Sequence, residues 1–210
     1  MVLVQMPESF HKVRRRYSYE VAREPQVRAV DDLRFIRQTM ERSGSFTASP
    51  GVGHLLAGLL ALFGAWLAHR QSDRSLWMDV WLGTATLSVL VLWVATQIKA
   101  RRNSLVLTSG PAMQFALSFL PVVFAAATLT AAVYPETKFL PGLWLLLYGT
   151  AVFTGGAFSI SLLRQMGAAF MVVGLIALFA PPRYGDLCMA IGFGGLHIVF
   201  GYFIARCHGG

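Results

Sequence analysis

The chain has few charges and few cysteines, and both shortages limit what it can be. Only 13% of its residues are charged and 55% are hydrophobic, and the first 50 residues already hold 9 of the 18 basic and 6 of the 10 acidic residues. A soluble domain is rarely so apolar. Cys188 and Cys207 are predicted near opposite ends of one helix, which excludes an intrachain disulfide, and their spacing is no metal motif.

Recognisable catalytic motifs are lacking too. Neither a nucleophile elbow, a phosphate loop, a zinc helix nor a dinucleotide fingerprint occurs in a suitable context. Gly192, Gly194 and Gly195 lie in an apolar helix without a preceding strand, so they indicate packing. No Asp or Glu is predicted near the middle of an apolar segment, where proton- or sodium-coupled transporters usually carry one. These absences count against an enzyme and against a coupled transporter.

Long apolar stretches, separated by short breaks, fill residues 51–206. A hydrocarbon core of about 30 Å requires about 20 apolar residues per helix. The sequence therefore predicts an all-α, polytopic membrane protein with a polar segment at 1–50, a six-helix transmembrane bundle at 51–206 and a short tail at 207–210. The predicted spans are 51–69, 77–98, 111–133, 139–156, 158–180 and 187–206, and Pro121 is expected to kink the third.

Basic residues are distributed unevenly between the two predicted membrane faces. With the N-terminus inside, 14 of the 18 lysines and arginines fall on the inner side and 4 on the outer side, as the positive-inside rule requires. Aromatic residues at the predicted outer ends form a belt that supports the same orientation: Trp66, Trp77, Trp81, Tyr134, Trp144 and Tyr184. Both termini are therefore expected in the cytoplasm.

The N-terminal segment combines a basic cluster with an amphipathic helical pattern between residues 29 and 43. Its basic residues are candidates for contact with anionic lipids of the inner leaflet: Lys12, Arg14, Arg15, Arg16, Arg34, Arg37 and Arg42. Packing under the bundle or against a partner protein is an equal alternative. Six acidic residues are interleaved with the basic ones and no nucleic-acid-binding motif occurs, so binding to nucleic acid is not expected.

Two histidines lie inside predicted spans. His197 is near the middle of the sixth span, with Gly194 and Gly201 on its own helical face, and His54 has the same glycine spacing in the first span. An ionisable group at the depth of His197 is a functional candidate. It has three interpretations, which are an interhelical packing contact, a small-ligand site, and a haem or metal site.

Packing is the favoured interpretation of these histidines. The predicted depths of His54 and His197 differ by about 10 Å, which counts against two facing ligands for one haem, and no third metal ligand is evident. Polar residues around Pro121 support a different alternative. A channel or uniporter-like transporter is favoured if Gln114, Ser118 and Thr128 face one continuous path with His197.

Both ends of the transmembrane region resemble a known group of proteins. The segment LRFIRQTMERSGSFTASPG from Leu33 and the ending FGGLHIVFGYFIARCHGG from Phe193 resemble a family of small multi-span bacterial inner-membrane proteins. The resemblance implies a bacterial cytoplasmic membrane and carries no established activity. The sequence is thus interpreted as a non-enzymatic membrane protein that binds a partner, a lipid or a hydrophobic small molecule, alone or as a homo-oligomer.

Overall fold

The computed structural model describes residues 32–33, 49–104, 107–108, 110–134 and 136–208, and their regular structure is helical. Six helices in these ranges are long and apolar enough to cross a membrane: Gly51–Ala68, Arg74–Arg102, Gly110–Val133, Thr137–Phe158, Ser161–Phe179 and Pro182–Cys207. For the described residues, the prediction of an all-α protein with six helices able to cross a membrane is therefore confirmed. The predicted basic cluster and amphipathic helix lie outside the described residues, apart from helical Asp32 and Leu33.

Four of the six spans form the centre of the bundle. The fourth and fifth spans pack closely against each other, and the first packs against the second and the sixth. In their most apolar stretches, 50% of the first and fourth spans is buried inside the protein, against 6% of the second and 0% of the third. The second and third spans are therefore peripheral, and most of their apolar side chains face outward, as they do toward lipid.

The third span is broken near its middle, as expected. It consists of the helices Gly110–Leu117 and Leu120–Val133, and Pro121 lies in the first turn of the second of these. Proline has no N–H to donate and its ring clashes with the preceding turn, so a continuous helix cannot pass through this position without distortion.

The connection between the fourth and fifth spans is a tight hairpin. A short 3-10 turn, Gly156–Phe158, follows the fourth span, and the next helix begins at Ser161. A Cβ at Gly156 would lie 2.8 Å from the backbone nitrogen of Arg164. The chain thus reverses through a glycine that permits close approach, and this segment is a turn between two antiparallel spans.

Glycines join the first span to the sixth. A Cβ added at Gly51 would meet the backbone of Ala205, and one added at Gly201 would lie 2.8 Å from the backbone nitrogen of Leu55. Small residues let helices approach closely in membranes, where van der Waals packing replaces the hydrophobic effect as the driving force for association. Gly201 therefore acts in this structure as a packing residue.

Replacing Gly201 with alanine tests this contact. We expect Gly201→Ala to destabilise the folded bundle by about 1–3 kcal/mol, because the new methyl group meets backbone atoms that can only move with their helix. Gly83→Ala is the matched control, since no atom beyond the adjoining residues and the backbone of its own helix lies within 4 Å of the Cβ it would add. This control should be neutral or stabilising by up to about 1 kcal/mol, because alanine is the better helix former. Unfolding of both variants in mixed micelles measures the difference, and equal stability would contradict the close contact.

Candidate functional site

Two histidines from different spans meet inside the bundle. The ring of His54 in the first span lies against the ring of His197 in the sixth, with centroids 5.5 Å apart and planes inclined by 28°. Their residues are 7% and 4% exposed. Neighbouring glycines make room for them, since a Cβ at Gly201 would lie 2.9 Å from the Cβ of His54, and one at Gly194 would meet the Leu62 side chain.

Both ring nitrogens of His197 have hydrogen-bond partners. Nδ1 lies 2.9 Å from the carbonyl oxygen of Phe193, and Nε2 lies 2.8 Å from the hydroxyl oxygen of Tyr148. Because a carbonyl oxygen only accepts, Nδ1 carries a hydrogen, and in the neutral imidazole Nε2 then accepts from the Tyr148 O–H. Tyr148 thereby connects the fourth span to the sixth.

Aromatic rings surround this hydrogen bond. Phe170 in the fifth span is fully buried, and its ring centroid lies 4.8 Å from that of Tyr148 and 5.2 Å from that of His197, both edge-on. Phe193 lies 5.3 Å from Tyr148 by the same measure. Edge-to-face contacts of this kind add stability beyond the area they bury. We call these four residues and His54 the histidine cluster, and they join the first, fourth, fifth and sixth spans.

A polar chain leads from the histidine cluster to one end of the bundle, the Lys99 end. Ser49 Oγ lies 3.1 Å from His54 Nε2, and Lys99 Nζ donates to the Ser49 carbonyl oxygen at 2.9 Å. Ser49 and Lys99 are each 4% exposed. Among the described residues, Nδ1 of His54 has no hydrogen-bond partner. A buried polar atom in that position costs about 1–3 kcal/mol unless an internal water satisfies it.

The sixth span changes its helical geometry immediately before His197. Residues Ala190–Leu196 form a π-helix, which lies between the helices Gly185–Met189 and His197–His208. Such segments are rare and occur frequently at functional sites. Sequence reasoning missed this irregularity. Its one signal was the concentration of glycines between residues 192 and 195, which permits a wider backbone turn.

The predicted depth offset between the histidines exists in the backbone but does not separate the rings. The facing pairs Gly51–Ala205 and Leu55–Gly201 place residue 202 opposite His54, about five positions from His197. Five residues correspond to about 7.5 Å along a helix. The two side chains reach across this offset. The structure thus brings the two rings into contact despite the offset, which the depth argument did not anticipate.

The geometry of the cluster favours packing over metal or haem ligation. Nε2 of His197 becomes a ligand only if Tyr148 withdraws, and Nδ1 is held by a carbonyl oxygen. In the part of the chain that the structure describes, no three His, Cys, Asp or Glu side chains are grouped to hold a metal ion. The haem alternative through His197 thus requires the hydrogen bond between Tyr148 and His197 to break.

Polar residues of the third span do not join the histidine cluster. The Ser118 hydroxyl donates to the Gln114 carbonyl oxygen at 2.8 Å, and the Thr128 hydroxyl donates to that of Phe124 at 2.9 Å. Gln114 and Thr128 are exposed on the outside of the span, whereas His197 is buried. Within the described residues, the Ser118 and Thr128 hydroxyls donate to their own helix, and the three residues form no common path with His197.

A second interhelical contact lies at the opposite end of the bundle, the Asp186 end. Oδ1 of Asp186 accepts from the indole N–H of Trp77 at 2.7 Å and of Trp81 at 3.2 Å, and Oδ2 lies 3.7 Å from Nδ1 of His69. Trp81 is 3% exposed, and Trp77 stacks on Trp144. These three tryptophans, expected as part of an interfacial belt, also hold the second, fourth and sixth spans together. Their four-residue spacing on the second span, which places two indoles on one helical face, was the available signal.

A cleft with a volume of about 370 Å³ lies beside Asp186. Residues from the beginnings of the second, fourth and sixth spans line it, and its charged groups have both signs. They are Asp73, Arg74, Glu136, Lys138 and Asp186. Lys138 Nζ lies 3.3 Å from Glu136 Oε2, and both side chains are about half exposed to solvent. The cleft therefore offers mixed charge at the level where three helices begin.

One carboxylate of the cleft, that of Asp73, caps the start of the second span. Asp73 accepts from the Ser75 hydroxyl, from the Ser75 N–H at 2.7 Å and from the Leu76 N–H at 3.1 Å. These hydrogen bonds lower the pKa of Asp73 below its ordinary value. The bond from the Ser75 side chain has the largest effect, and the bonds from the Leu76 and Ser75 N–H groups have smaller ones. Asp73 thus caps the second span as an ionised group.

Comparison of the chain with protein-family models, with curated proteins and with solved structures finds no match. The chemistry of the histidine cluster and of the cleft therefore has to be argued from their own geometry.

A double-mutant cycle measures the contact between Tyr148 and His197. We expect Tyr148→Phe to destabilise the bundle by about 1 kcal/mol, because a buried ring nitrogen loses its donor, and to cost little in a His197→Leu background. Tyr134→Phe, which changes an exposed tyrosine in the same way, should leave the stability unchanged. The free energy of unfolding in mixed micelles is the measurement. An equal cost in both backgrounds would show that the hydrogen bond does not form.

Proposed function

We propose that this chain is a non-enzymatic membrane protein that binds a lipid, a hydrophobic small molecule or a membrane partner. One observation carries the proposal: both ring nitrogens of the deepest histidine, His197, are used in hydrogen bonds within the bundle. A group held in this way stiffens the helices around it. It offers neither a lone pair nor an open proton path to a substrate unless the bond to Tyr148 breaks.

The outer surface of the bundle supports contact with lipid or with another membrane protein. Leu90 and Trp93 of the second span are 54% and 62% exposed, and Phe124 of the third span is 75% exposed. Faces of this kind are satisfied by acyl chains or by a neighbouring helix. A second copy of the chain is one such neighbour.

The location belongs to the same proposal. We place the protein in a bacterial cytoplasmic membrane, with both termini inside and the basic residues of the N-terminal segment on anionic lipid. The distribution of basic residues and the resemblance of the two chain ends support this placement. In that orientation the Lys99 end faces the cytoplasm and the Asp186 end faces outward.

Purification in mild detergent, followed by native mass spectrometry and a visible absorption spectrum, tests the binding function. We expect a stoichiometric non-covalent ligand or partner and no Soret band. His197→Ala should lower the melting temperature and leave the bound species unchanged, because the histidine cluster acts through packing. A Soret band that disappears in His197→Ala would establish the haem alternative instead. Ion or solute flux that depends on His197 in liposomes would establish the channel alternative.

A fluorescent-protein fusion tests the orientation. We expect a green fluorescent protein joined after Gly210 to fluoresce in a bacterial host, because this reporter folds in the cytoplasm and not after Sec-dependent export. The same reporter inserted between Ser72 and Asp73, in the connection between the first two spans, should stay dark. The reverse pattern would place both termini outside.

A further inference from the structure

The cleft at the Asp186 end combines a ligand-sized volume with charges of both signs. Its volume of about 370 Å³ falls in the range of about 300–1,000 Å³ that small-molecule sites occupy. The carboxylates of Glu136 and Asp186 share it with the basic side chains of Arg74 and Lys138. Charged side chains of both signs suit an acyl chain poorly, so the lining favours a polar ligand.

The position of the cleft matches the level of lipid headgroups. The second, fourth and sixth spans begin at Arg74, Thr137 and Pro182, and residues at or next to these starts line the cleft. Helices that cross a hydrocarbon core of about 30 Å begin where that core meets the polar interface. A headgroup phosphate and amine lie at the same depth.

Asp186 is the carboxylate best placed to bind a cationic group. Its side chain is 20% exposed. Oδ1 accepts from two neutral indole N–H groups, which orient the carboxylate without cancelling its charge, and Oδ2 lies 3.7 Å from Nδ1 of the exposed His69. Trp77 also lines the cleft, and Trp144 holds its ring by stacking. An ammonium group beside a fixed carboxylate and an aromatic ring is stabilised by the carboxylate charge and by a cation–π interaction with the ring.

We propose that the cleft binds a zwitterion that carries an ammonium and a phosphate group, as the headgroup of an ethanolamine phospholipid does. Asp186 and Glu136 bind the ammonium group beside Trp77, and Arg74 and Lys138 bind the phosphate. A ligand with charge of only one sign would be repelled by like charges in the same cleft. Each charged group of a zwitterion, in contrast, meets side chains of the opposite charge. This inference rests on the proposed binding function and specifies its ligand.

The test uses the full-length chain and two lipids of matched acyl chains, phosphatidylethanolamine and phosphatidylglycerol. Native mass spectrometry from mixed micelles should show one retained ethanolamine lipid in preference to the glycerol lipid. Asp186→Asn and Glu136→Gln should each weaken that retention, Asp186→Asn by about tenfold or more, because a charge-assisted hydrogen bond is lost. Addition of soluble phosphoethanolamine distinguishes a site for the free headgroup compound from a site for the intact lipid. Displacement of the lipid shows that the headgroup suffices, and retention shows that the acyl chains are needed as well.

Two control variants separate ligand binding from structural damage. Asp79→Asn removes a carboxylate at the same end of the second span, outside the cleft lining, and should bind the ethanolamine lipid as the wild type does. Trp81→Phe removes one of the two indole bonds to Asp186 and keeps the carboxylate, so it should lower the melting temperature and retain the lipid preference. If Asp186→Asn fails to fold, Glu136→Gln decides the result, because its side chain is exposed.

The outcomes distinguish this inference from the function on which it rests. Equal retention of the two lipids, or unchanged retention in both Asp186→Asn and Glu136→Gln, overturns the zwitterion site. If another stoichiometric ligand or partner is then found, the binding function stands without it. A protein that retains no lipid, small molecule or partner overturns both.

Discussion

The bundle depends on the requirement that a polar side chain in hydrocarbon find its partner within the protein, since no water is there to replace it. His197 satisfies this requirement through Tyr148 and the Phe193 carbonyl group. The contact between His54 and His197 forms only because glycines let the first and sixth spans approach until their backbones touch. The small residues and the buried histidines therefore belong to one arrangement.

The second span shows what polar contacts do where burial is small. Its buried residues are Trp81 near one end and Lys99 and Ala100 near the other. Lys99 donates to the Ser49 carbonyl oxygen beside the first span, and Trp81 donates to Asp186 of the sixth. Lipid tails are as apolar as leucine side chains, so apolar contact alone gives such a helix little reason to choose protein over lipid. Hydrogen bonds at both ends hold it in place.

Hydropathy and proline chemistry were sufficient to predict the six spans and the break before Pro121, because both are properties of the segment itself: its preference for lipid over water and its ability to continue a helix. They carry no information on which helices are neighbours. They therefore gave no partner for Trp81, which is buried against Asp186, and left open a path shared by Gln114 and His197, although Gln114 lies on the outer surface. The ring contact between His54 and His197 was missed because depth along a helix does not include the reach of a side chain.

The two ends and the centre of the bundle meet different physical demands, and this division explains where a ligand site can form. In the centre, a charged ligand would lose its hydration, and the one buried polar side-chain atom without a hydrogen-bond partner among the described residues is Nδ1 of His54. At the Asp186 end water is again present, so charges are tolerated at lower cost, and neighbouring rings fix their positions. Trp77 stacks on Trp144, whose indole N–H in turn donates to Thr130 at 2.9 Å. Side chains held in advance lose less entropy on binding. The buried contacts that stabilise this end therefore also prepare its cleft to select a ligand by charge.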